Sequence, residues 1–471
     1  MPKRKLVFSY AVLVGLPVLI LLGVLDAGRN LTVPSAARAM PALRAAASLT
    51  PTAAHAVSRL TLQILVVLLV SRAVSWVFKK ANQPQVVGEM AAGVALGPSL
   101  LGWLAPGISA ALFPPASLDY LYAFSQLGLV LFIFLVGLSL NSSELREHSH
   151  AAILTSHVSI AVPFCLGGAM ALVLYPKLSN SGVSFNGFAL FMGAAMSITA
   201  FPVLARILAE RNLLRTRMGC LTIACAAVDD VTGWCVLAYI VVAIRSSQSS
   251  APVWAQAAGV IVYVLIMLLG VRPILPRFEK SFRSRGRLTD TAVAALLMAI
   301  MASALCTEWL GIHQLFGAFL LGAVMPKDSA FVDHIKQLFE SVTVVLLLPL
   351  FFAYTGLRTS IGTLAGPGMW TYTLMVLGGA VAGKAGGCLA AGRLAGMSWR
   401  DASALGILMN TRGLMELVIL NIGLDIGVIS PPVFSMMVTM ALVTTLMTTP
   451  LLDKVYRPPQ LQAELAAGRV A

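Results

Sequence analysis

The sequence predicts an all-α membrane protein with about thirteen core transmembrane helices, preceded by one further apolar segment. Three observations support this fold class. Of the 471 residues, 58% are hydrophobic and only 11% charged, with a mean hydropathy of +0.87, whereas a soluble protein carries roughly a quarter charged residues. Apolar runs of about 20 residues, long enough to cross a bilayer as helices, recur along the whole chain. These runs do not alternate with polar residues, which excludes a β-barrel.

The core spans are predicted near residues 59–79, 83–101, 117–140, 150–175, 186–209, 215–244, 251–270, 287–309, 313–326, 334–357, 368–395, 401–424 and 432–451. They define a transmembrane domain at 59–452, followed by a short cytoplasmic tail at 453–471. Residues 1–58 comprise an additional apolar run at 6–25 and an external linker. That run follows three basic residues and precedes sites such as Ala37-Arg38-Ala39. A cleaved signal segment and an uncleaved extra span both fit this pattern.

The net charge of +14 reflects membrane topology. With the chain start inside, most Lys and Arg residues fall on one side of the predicted spans, as the positive-inside rule requires. The densest group occupies one short loop and consists of Arg272, Arg277, Lys280, Arg283, Arg285 and Arg287. We therefore expect membrane lipid and no nucleic acid as a partner, with the C-terminus in the cytoplasm and the chain in a bacterial inner (plasma) membrane. The six cysteines lack CxxC spacing, so neither a metal site nor a cofactor is expected.

A weak internal duplication relates the two halves of the domain. Residues 131–139 (LFIFLVGLS) resemble residues 350–358 (LFFAYTGLR), and the predicted topology places the two copies in opposite orientations. The spans that hold Thr199 and Asn410 then occupy equivalent positions, and each has a helix breaker in its middle, Pro202 in one and Gly413 in the other. Interrupted helices at matching positions of two inverted repeats point to an ion site at the membrane midplane.

Two adjacent acids, Asp229 and Asp230, lie deep within an apolar span. Neighbouring helix positions point about 100° apart, so one carboxylate can meet a fixed counter-charge while the other faces an aqueous funnel. Burial and mutual repulsion favour proton binding, whereas a nearby cation favours the ionised form. A carboxylate balanced in this way can hold either a proton or a metal cation. The alternative is that both acids are helix-end residues, which the apolar sequence on each side opposes.

Lys384 is the basic counterpart of these acids and lies in a Gly-rich span. Small neighbours let another helix approach closely, so Lys384 can reach across to one Asp in a salt bridge that opens when a cation binds. A permanent structural pair is the alternative. Thr199 and Ser197 can offer hydroxyl or carbonyl oxygens to a hard cation, or can simply form hydrogen bonds within the membrane.

Three further ionisable residues lie within spans. Arg412 and Glu416 are four residues apart on one helix and can neutralise each other, and we favour a structural role in which the pair braces the segment around Gly413. Glu89 lies near the inner end of its span, where it either lines the cytoplasmic access route or reaches the membrane interface.

Four segments resemble the cation:proton antiporter-2 family, in particular the plant cation/H+ exchangers and their bacterial relatives. The matching stretches, which together cover about residues 60–452, are 83–89 (QPQVVGE) with 96–99 (LGPS), 197–208 (SITAFPVLARIL), Asp229-Asp230 with Lys384, and 410–417 (NTRGLMEL). The resemblance implies a homodimer in which a rigid core moves against a dimerisation domain, with two broken helices crossing near the acids.

The same resemblance implies individual roles at the site. Asp230 would bind the ion or the proton, Asp229 would pair with Lys384, and Thr199 would lie in the first unwound crossing. Asn410 and Thr411, in the second interrupted span, are expected as supporting residues. The plant exchangers usually have Asn where this chain has Asp229, and a double acid with a Lys resembles the electrogenic sodium/proton antiporters. Both Na+ and K+ therefore remain candidate cations.

These features predict a secondary active transporter that exchanges Na+ or K+ for H+ by alternating access, with no cofactor other than the transported ions. A passive cation channel and a proton-coupled K+ efflux system are the alternatives. The protein is not expected to be an enzyme. An intramembrane aspartyl protease needs two acids facing each other from separate helices, which sequence neighbours cannot provide.

Overall fold

The computed structural model describes residues 11–28, 53–139, 150–211, 213, 216–246 and 253–455. The Ala37-Arg38-Ala39 site, the predicted linker after residue 28 up to residue 52 and the tail after residue 455 lie outside these ranges.

Within the described ranges the chain folds into helices joined by short connections. In chain order the α-helices of eight residues or more are α1 (Leu16–Ala27), α2 (Ala53–Lys80), α3 (Gln85–Leu96), α4 (Leu118–Ser139), α5 (His150–Leu178), α6 (Phe185–Ser197), α7 (Phe201–Glu210), α8 (Arg217–Ser246), α9 (Val253–Leu265), α10 (Pro276–Arg285), α11 (Asp290–Trp309), α12 (Leu315–Val324), α13 (Ser329–Val342), α14 (Leu348–Leu357), α15 (Met369–Val381), α16 (Gly387–Leu394), α17 (Trp399–Met409), α18 (Leu414–Asp425) and α19 (Pro431–Val455).

The predicted all-α membrane class is confirmed. Eleven helical segments of the described chain are long and apolar enough to cross a membrane, and the bent pair α17–α18 raises that number to twelve. The span predicted at 313–326 corresponds to the ten-residue helix α12, which is shorter than the about 20 residues that a full crossing requires. The N-terminal run forms α1, which packs against α5.

Sixteen of these nineteen helices pack as two bundles. The first contains α2, α3, α4, α11, α12, α13 and α14, and the second contains α5 to α8 and α15 to α19. In the first bundle α4 and α14, which hold the two copies of the duplicated stretch, pack against each other. Glycines let α3 and α14 meet backbone to backbone, because a Cβ on Gly93 would lie only 2.1 Å from the carbonyl oxygen of Phe352.

The two ends of α4 identify the two membrane faces. Its first turns pack against the last turn of α14, with the Tyr122 and Tyr354 rings 5.2 Å apart. Its final carbonyls, at Gly137 and Leu138, accept hydrogen bonds from Lys327 in the loop after α12. By the predicted topology the Tyr122 end is external and the Lys327 end cytoplasmic. Because α4 has 22 residues, these ends are about 33 Å apart, which matches the hydrocarbon thickness of a bilayer.

Candidate functional site

The two breaks predicted from Pro202 and Gly413 are present. Helix α6 ends at Ser197 and α7 begins at Phe201, since a proline in the first turn of α7 cannot donate the hydrogen bond that would continue the preceding helix. Helices α17 and α18 are bent by 43° at their break. Gly413 there has a φ of +156°, and a Cβ on it would lie 2.9 Å from Val203 Cγ2, so both the backbone conformation and the space favour glycine.

The unwound segments cross each other at the centre of the second bundle. The Ala200 amide donates a hydrogen bond to the Thr411 carbonyl at 3.0 Å, and the Thr199 hydroxyl lies 3.2 Å from the Met409 carbonyl. The Ala200–Thr411 hydrogen bond satisfies one backbone group of each unwound segment, which is how irregular backbone is tolerated at membrane depth. The arrangement of two crossing broken helices follows the prediction.

Two buried cations cap the C-terminal end of α6. Arg412 donates to the carbonyls of Ala195 at 3.1 Å and Met196 at 2.5 Å, and Lys384 donates to the Ser197 carbonyl. The last carbonyls of a helix have no partner within it and carry partial negative charge. Arg412 and Lys384 thus compensate the helix end that the break creates inside the membrane.

Asp229 is held by four side chains. The Lys384 ammonium lies 2.9 Å from Asp229 Oδ2, and both side chains are fully buried. Thr199 donates to the same oxygen at 2.9 Å, Ser156 donates to Oδ1 at 2.6 Å, and Ser159 also donates to Oδ2. Oδ1 accepts one of these contacts and Oδ2 accepts three, so Asp229 forms a fixed, charge-compensated anchor.

Asp230 is the contrasting case. It follows Asp229 at the middle of the 30-residue helix α8 and points to a different side of it. Its side chain is 1% exposed, yet neither carboxylate oxygen has a hydrogen-bond partner within the described part of the protein. A buried ionised carboxylate without a partner is strongly unfavourable, so this position favours whichever cation or proton can neutralise it.

The first bundle also contributes to this region. Met90 of α3 lies against Gly413 at the crossing, and the preceding residue, Glu89, is buried with one carboxylate oxygen, Oε2, unpartnered. Arg206 of α7 donates a hydrogen bond to Gln85 on the same helix as Glu89. Glu89 therefore lies at the boundary of the two bundles, beside the crossing and toward the predicted cytoplasmic face.

The remaining predicted residues surround the second break. Arg412 and Glu416 form a buried ion pair at 3.3 Å, and the Arg412 backbone amide and carbonyl both bond to the Thr445 hydroxyl. The Asn410 side-chain oxygen is buried without a hydrogen-bond partner in the described chain. The hydroxyl of Thr411 lies 3.5 Å from that of Thr448. Ser197 bonds within its own helix through its hydroxyl.

Two contributions were missed by sequence reasoning. Ser156 and Ser159 on α5 bind Asp229, and their spacing of three residues within an apolar run places them on one helix face, a signal that the sequence does contain. Trp234, one turn beyond Asp230, packs edge-on against Phe316 and also against Phe319 of α12, with ring centroids 5.1 and 5.8 Å away. These contacts join α8, one turn beyond Asp230, to the first bundle.

Comparison with known proteins defines the family. The family model described as "Sodium/hydrogen exchanger, transmembrane" matches residues 64–454. The chain belongs to the sodium/hydrogen exchanger family. This exchanger is 43% identical over 397 residues to the Na(+)/H(+) antiporter NhaS4 of Synechocystis, covering 84% of this chain and 97% of that relative. The resemblance expected from the four sequence segments is thereby confirmed.

This exchanger spans about half the length of two other relatives. It is 39% identical to Cation/H(+) antiporter 17 of Arabidopsis thaliana and 33% identical to K(+)/H(+) antiporter 1 of Saccharomyces cerevisiae. It covers 49% and 45% of them, and they cover 86% and 84% of it. Among solved structures, the sodium proton antiporter MjNhaP1 of Methanocaldococcus jannaschii matches with a TM-score of 0.60 at 14% identity, over 87% of this chain and 99% of that one, which shows a shared fold.

Proposed function

We propose that the protein exchanges a monovalent cation, Na+ or K+, for H+ by alternating access, and that Asp230 is the carrier group. One observation supports this role above the others. Two neighbouring acids at mid-membrane have opposite environments, since Asp229 is saturated by Lys384 and three hydroxyls, whereas Asp230 is buried with no hydrogen-bond partner in the described chain. Only a group without a fixed partner is free to exchange one bound ion for another.

Oxygens at the two breaks suit a hard monovalent cation. Thr199 at the first break retains lone pairs after donating to Asp229, and the unpartnered Asn410 side-chain oxygen belongs to the second break. Alkali cations prefer such neutral oxygens together with a carboxylate. Asp230 would then hold a proton in one half of the cycle and share a cation with these oxygens in the other half.

Lys384 determines how many protons move. If a cation displaces the Lys384 ammonium from Asp229 and Lys384 then loses its proton to water, that proton and the one from Asp230 leave together, and each cycle exchanges two protons for one cation. One net charge then crosses the membrane, which couples transport to voltage at about 2.3 kcal/mol per 100 mV. If the Lys384–Asp229 pair stays closed, exchange through Asp230 alone is electroneutral.

The relatives' names support the reaction but not one cation. Similar proteins are called Na(+)/H(+), cation/H(+) and K(+)/H(+) antiporters, so we assign the exchanger to monovalent cations as a class. A passive channel is not favoured, because the carboxylate at its centre has no exposed surface. The homodimer, the bacterial inner membrane and the cytoplasmic C-terminus are parts of this proposal that rest on the family resemblance and on the positive-inside charge pattern.

The experiment is cation-driven collapse of a preformed pH gradient in everted vesicles that contain a pH-sensitive dye. The wild type should respond to Na+ or K+, and Asp230→Asn should abolish the response while the protein still folds and inserts. Asp333→Asn, which removes an exposed acid from α13, is the matched control and should retain activity. Wild-type-like exchange by Asp230→Asn would move the carrier to another residue, and no response of the wild type to either cation would refute antiport.

A further inference from the structure

The site lies at the boundary between the two bundles. Asp230 belongs to α8 of the second bundle, while Met90, Phe316 and Phe319 approach its surroundings from the first. In transporters built from inverted repeats, alternating access is largely a rigid-body motion of one bundle against the other around a fixed site. Contacts that cross this boundary near either membrane face must therefore break at some point in the cycle, whereas contacts within a bundle need not.

Arg358, at the C-terminal end of α14, makes such contacts at the predicted external face. From the first bundle it reaches α18 of the second, forming an ion pair with Asp425 at 2.6 Å and donating to the Asn421 side-chain oxygen at 3.1 Å. Asn421 in turn donates to the Thr355 hydroxyl of α14 at 2.8 Å. The guanidinium also lies 5.3 Å from the centre of the Tyr354 ring.

Burial within this cluster changes with depth. Arg358 and Asp425 retain 20% and 28% of their side-chain exposure, whereas Thr355 and Asn421 are only 1% and 2% exposed. The outer Arg358–Asp425 ion pair is thus partly exposed to solvent, whereas the Asn421–Thr355 hydrogen bond, one turn further in, is buried. That gradient is expected of a closed access route, where a polar outer layer covers a sealed inner one.

Polar contacts also cross the boundary at the opposite face. Arg206 of α7 bonds to Gln85 of α3, and Arg211 donates to the Asn82 carbonyl at 3.5 Å. Polar contacts thus cross the boundary near both faces, and the Asp230 oxygens have no contact with solvent in this conformation. Opening toward either side requires one set of contacts to separate while the other holds.

We propose that Arg358, together with Asn421 and Asp425, forms the external gate of this transporter. The cluster joins α14 to α18 when the external route is closed, and its bonds must break before Asp230 can exchange its ion with that side. This inference rests on the exchange activity proposed above. It makes Arg358 a positioning residue, since it acts on the access route and does not touch the transported ion.

The first test is a cross-link across the boundary. In the double variant Thr355→Cys/Asn421→Cys, the two thiols replace side chains that form a hydrogen bond between the two bundles. Oxidation with copper phenanthroline should join them in a disulfide. We expect the oxidised protein to lose cation/H+ exchange and to recover it on reduction. The matched control, Gln63→Cys/Ser117→Cys, replaces a buried bond of 2.7 Å inside the first bundle and should exchange equally well in both redox states. The wild type with its native cysteines sets the baseline under oxidant.

The possible results distinguish failure of the gate proposal from failure of the proposed exchange activity. Exchange that continues in the cross-linked protein, or failure of the pair to cross-link at all, would overturn the gate. Absence of exchange in the untreated wild type would instead refute the antiport activity. The oxidised control pair excludes a general loss of activity from oxidation.

A second test uses charge reversal and does not depend on a cross-link. The Ser435→Cys thiol would lie on α19 beside the Ser360 amide, which bonds to Ser435 at 3.0 Å just beyond Arg358. Arg358→Asp should speed its labelling by an impermeant maleimide about tenfold, the effect of losing roughly one charged hydrogen bond. Adding Asp425→Arg should restore the slow rate. Labelling that is unchanged by the single variant, or not restored by the double one, would contradict a gate held by this pair.

Discussion

Replacing Lys384 by Met tests whether the buried ion pair is a structural anchor. Met has a similar volume but no charge, so Lys384→Met removes the ammonium that lies 2.9 Å from Asp229 Oδ2 and also donates to the Ser159 carbonyl at 3.0 Å. Asp229 would keep its three hydroxyl donors but would lose its counter-charge in a fully buried position. Breaking a buried pair by removing one partner costs about 3–5 kcal/mol. We expect a loss of that size in the free energy of unfolding.

The double variant Lys384→Met/Asp229→Asn isolates the cause of this loss. It removes both charges and keeps the shapes, so most of the stability should return, because a buried pair often contributes little compared with a neutral replacement. The pair Arg283–Asp328, with Arg283 62% exposed, provides the comparison, since Arg283→Met should change stability by less than about 1 kcal/mol.

The assay is equilibrium unfolding of the detergent-solubilised protein, followed by circular dichroism near neutral pH. Equal stability of Lys384→Met and the wild type would show that Asp229 does not depend on Lys384, and would refute the anchor. If the double variant does not regain stability, the Lys384 ammonium stabilises the protein mainly by donating to the Ser159 and Ser197 carbonyls.

Three further variants test other features of the structure. Arg412→Met should destabilise by about 3–5 kcal/mol, because it leaves two carbonyls at the end of α6 without their donor and buries Glu416 unpaired; a shift under about 1 kcal/mol in the same unfolding assay would contradict the capping role. Gly413→Ala should cost about 1–3 kcal/mol and slow exchange, since its Cβ would lie 2.9 Å from Val203 Cγ2; wild-type stability would show that the crossing is not tightly packed. Burial and the charge of Lys336 lower the pKa of Lys327 from 10.5 to about 8, so the unfolded chain binds more protons between pH 8 and 10.5, and stability should rise with pH in that window. Lys327→Met should abolish that rise. If the variant keeps the wild-type dependence of stability on pH, Lys327 is not its cause.

The breaks and the acid pair were predictable because each rests on a strong local signal. Pro202 cannot continue a helix and Gly413 permits an unusual backbone, while adjacent acids in a long apolar run are costly without a function. The helix periodicity says that the two acids face different directions, but it does not say which one meets Lys384. That choice depends on how α8 is rotated against α5 and against residues 382–386, which carry Lys384, and packing alone decides it.

Other parts of the site could not be derived from local sequence. Ser156 and Ser159 were missed because serines in membrane helices commonly bond to their own backbone. Arg358 was visible only as the last residue of a duplicated stretch, and its partners, Asn421 and Asp425, are more than sixty residues away along the chain. Contacts of that kind depend on how the two bundles are docked, which hydrophobic periodicity does not encode.

The lone carboxylate of Asp230 also has an energetic consequence for the coupling of the two ion flows. If the protein changed conformation with neither a proton nor a metal ion bound, the ionised carboxylate would be buried without a partner, at a cost of several kcal/mol. The protein without a bound ion should therefore rarely switch between its two orientations. Such a switch would let one ion cross the membrane without exchange for the other. Leaving this acid without a protein partner is thus what keeps a stored gradient from being dissipated by futile cycling.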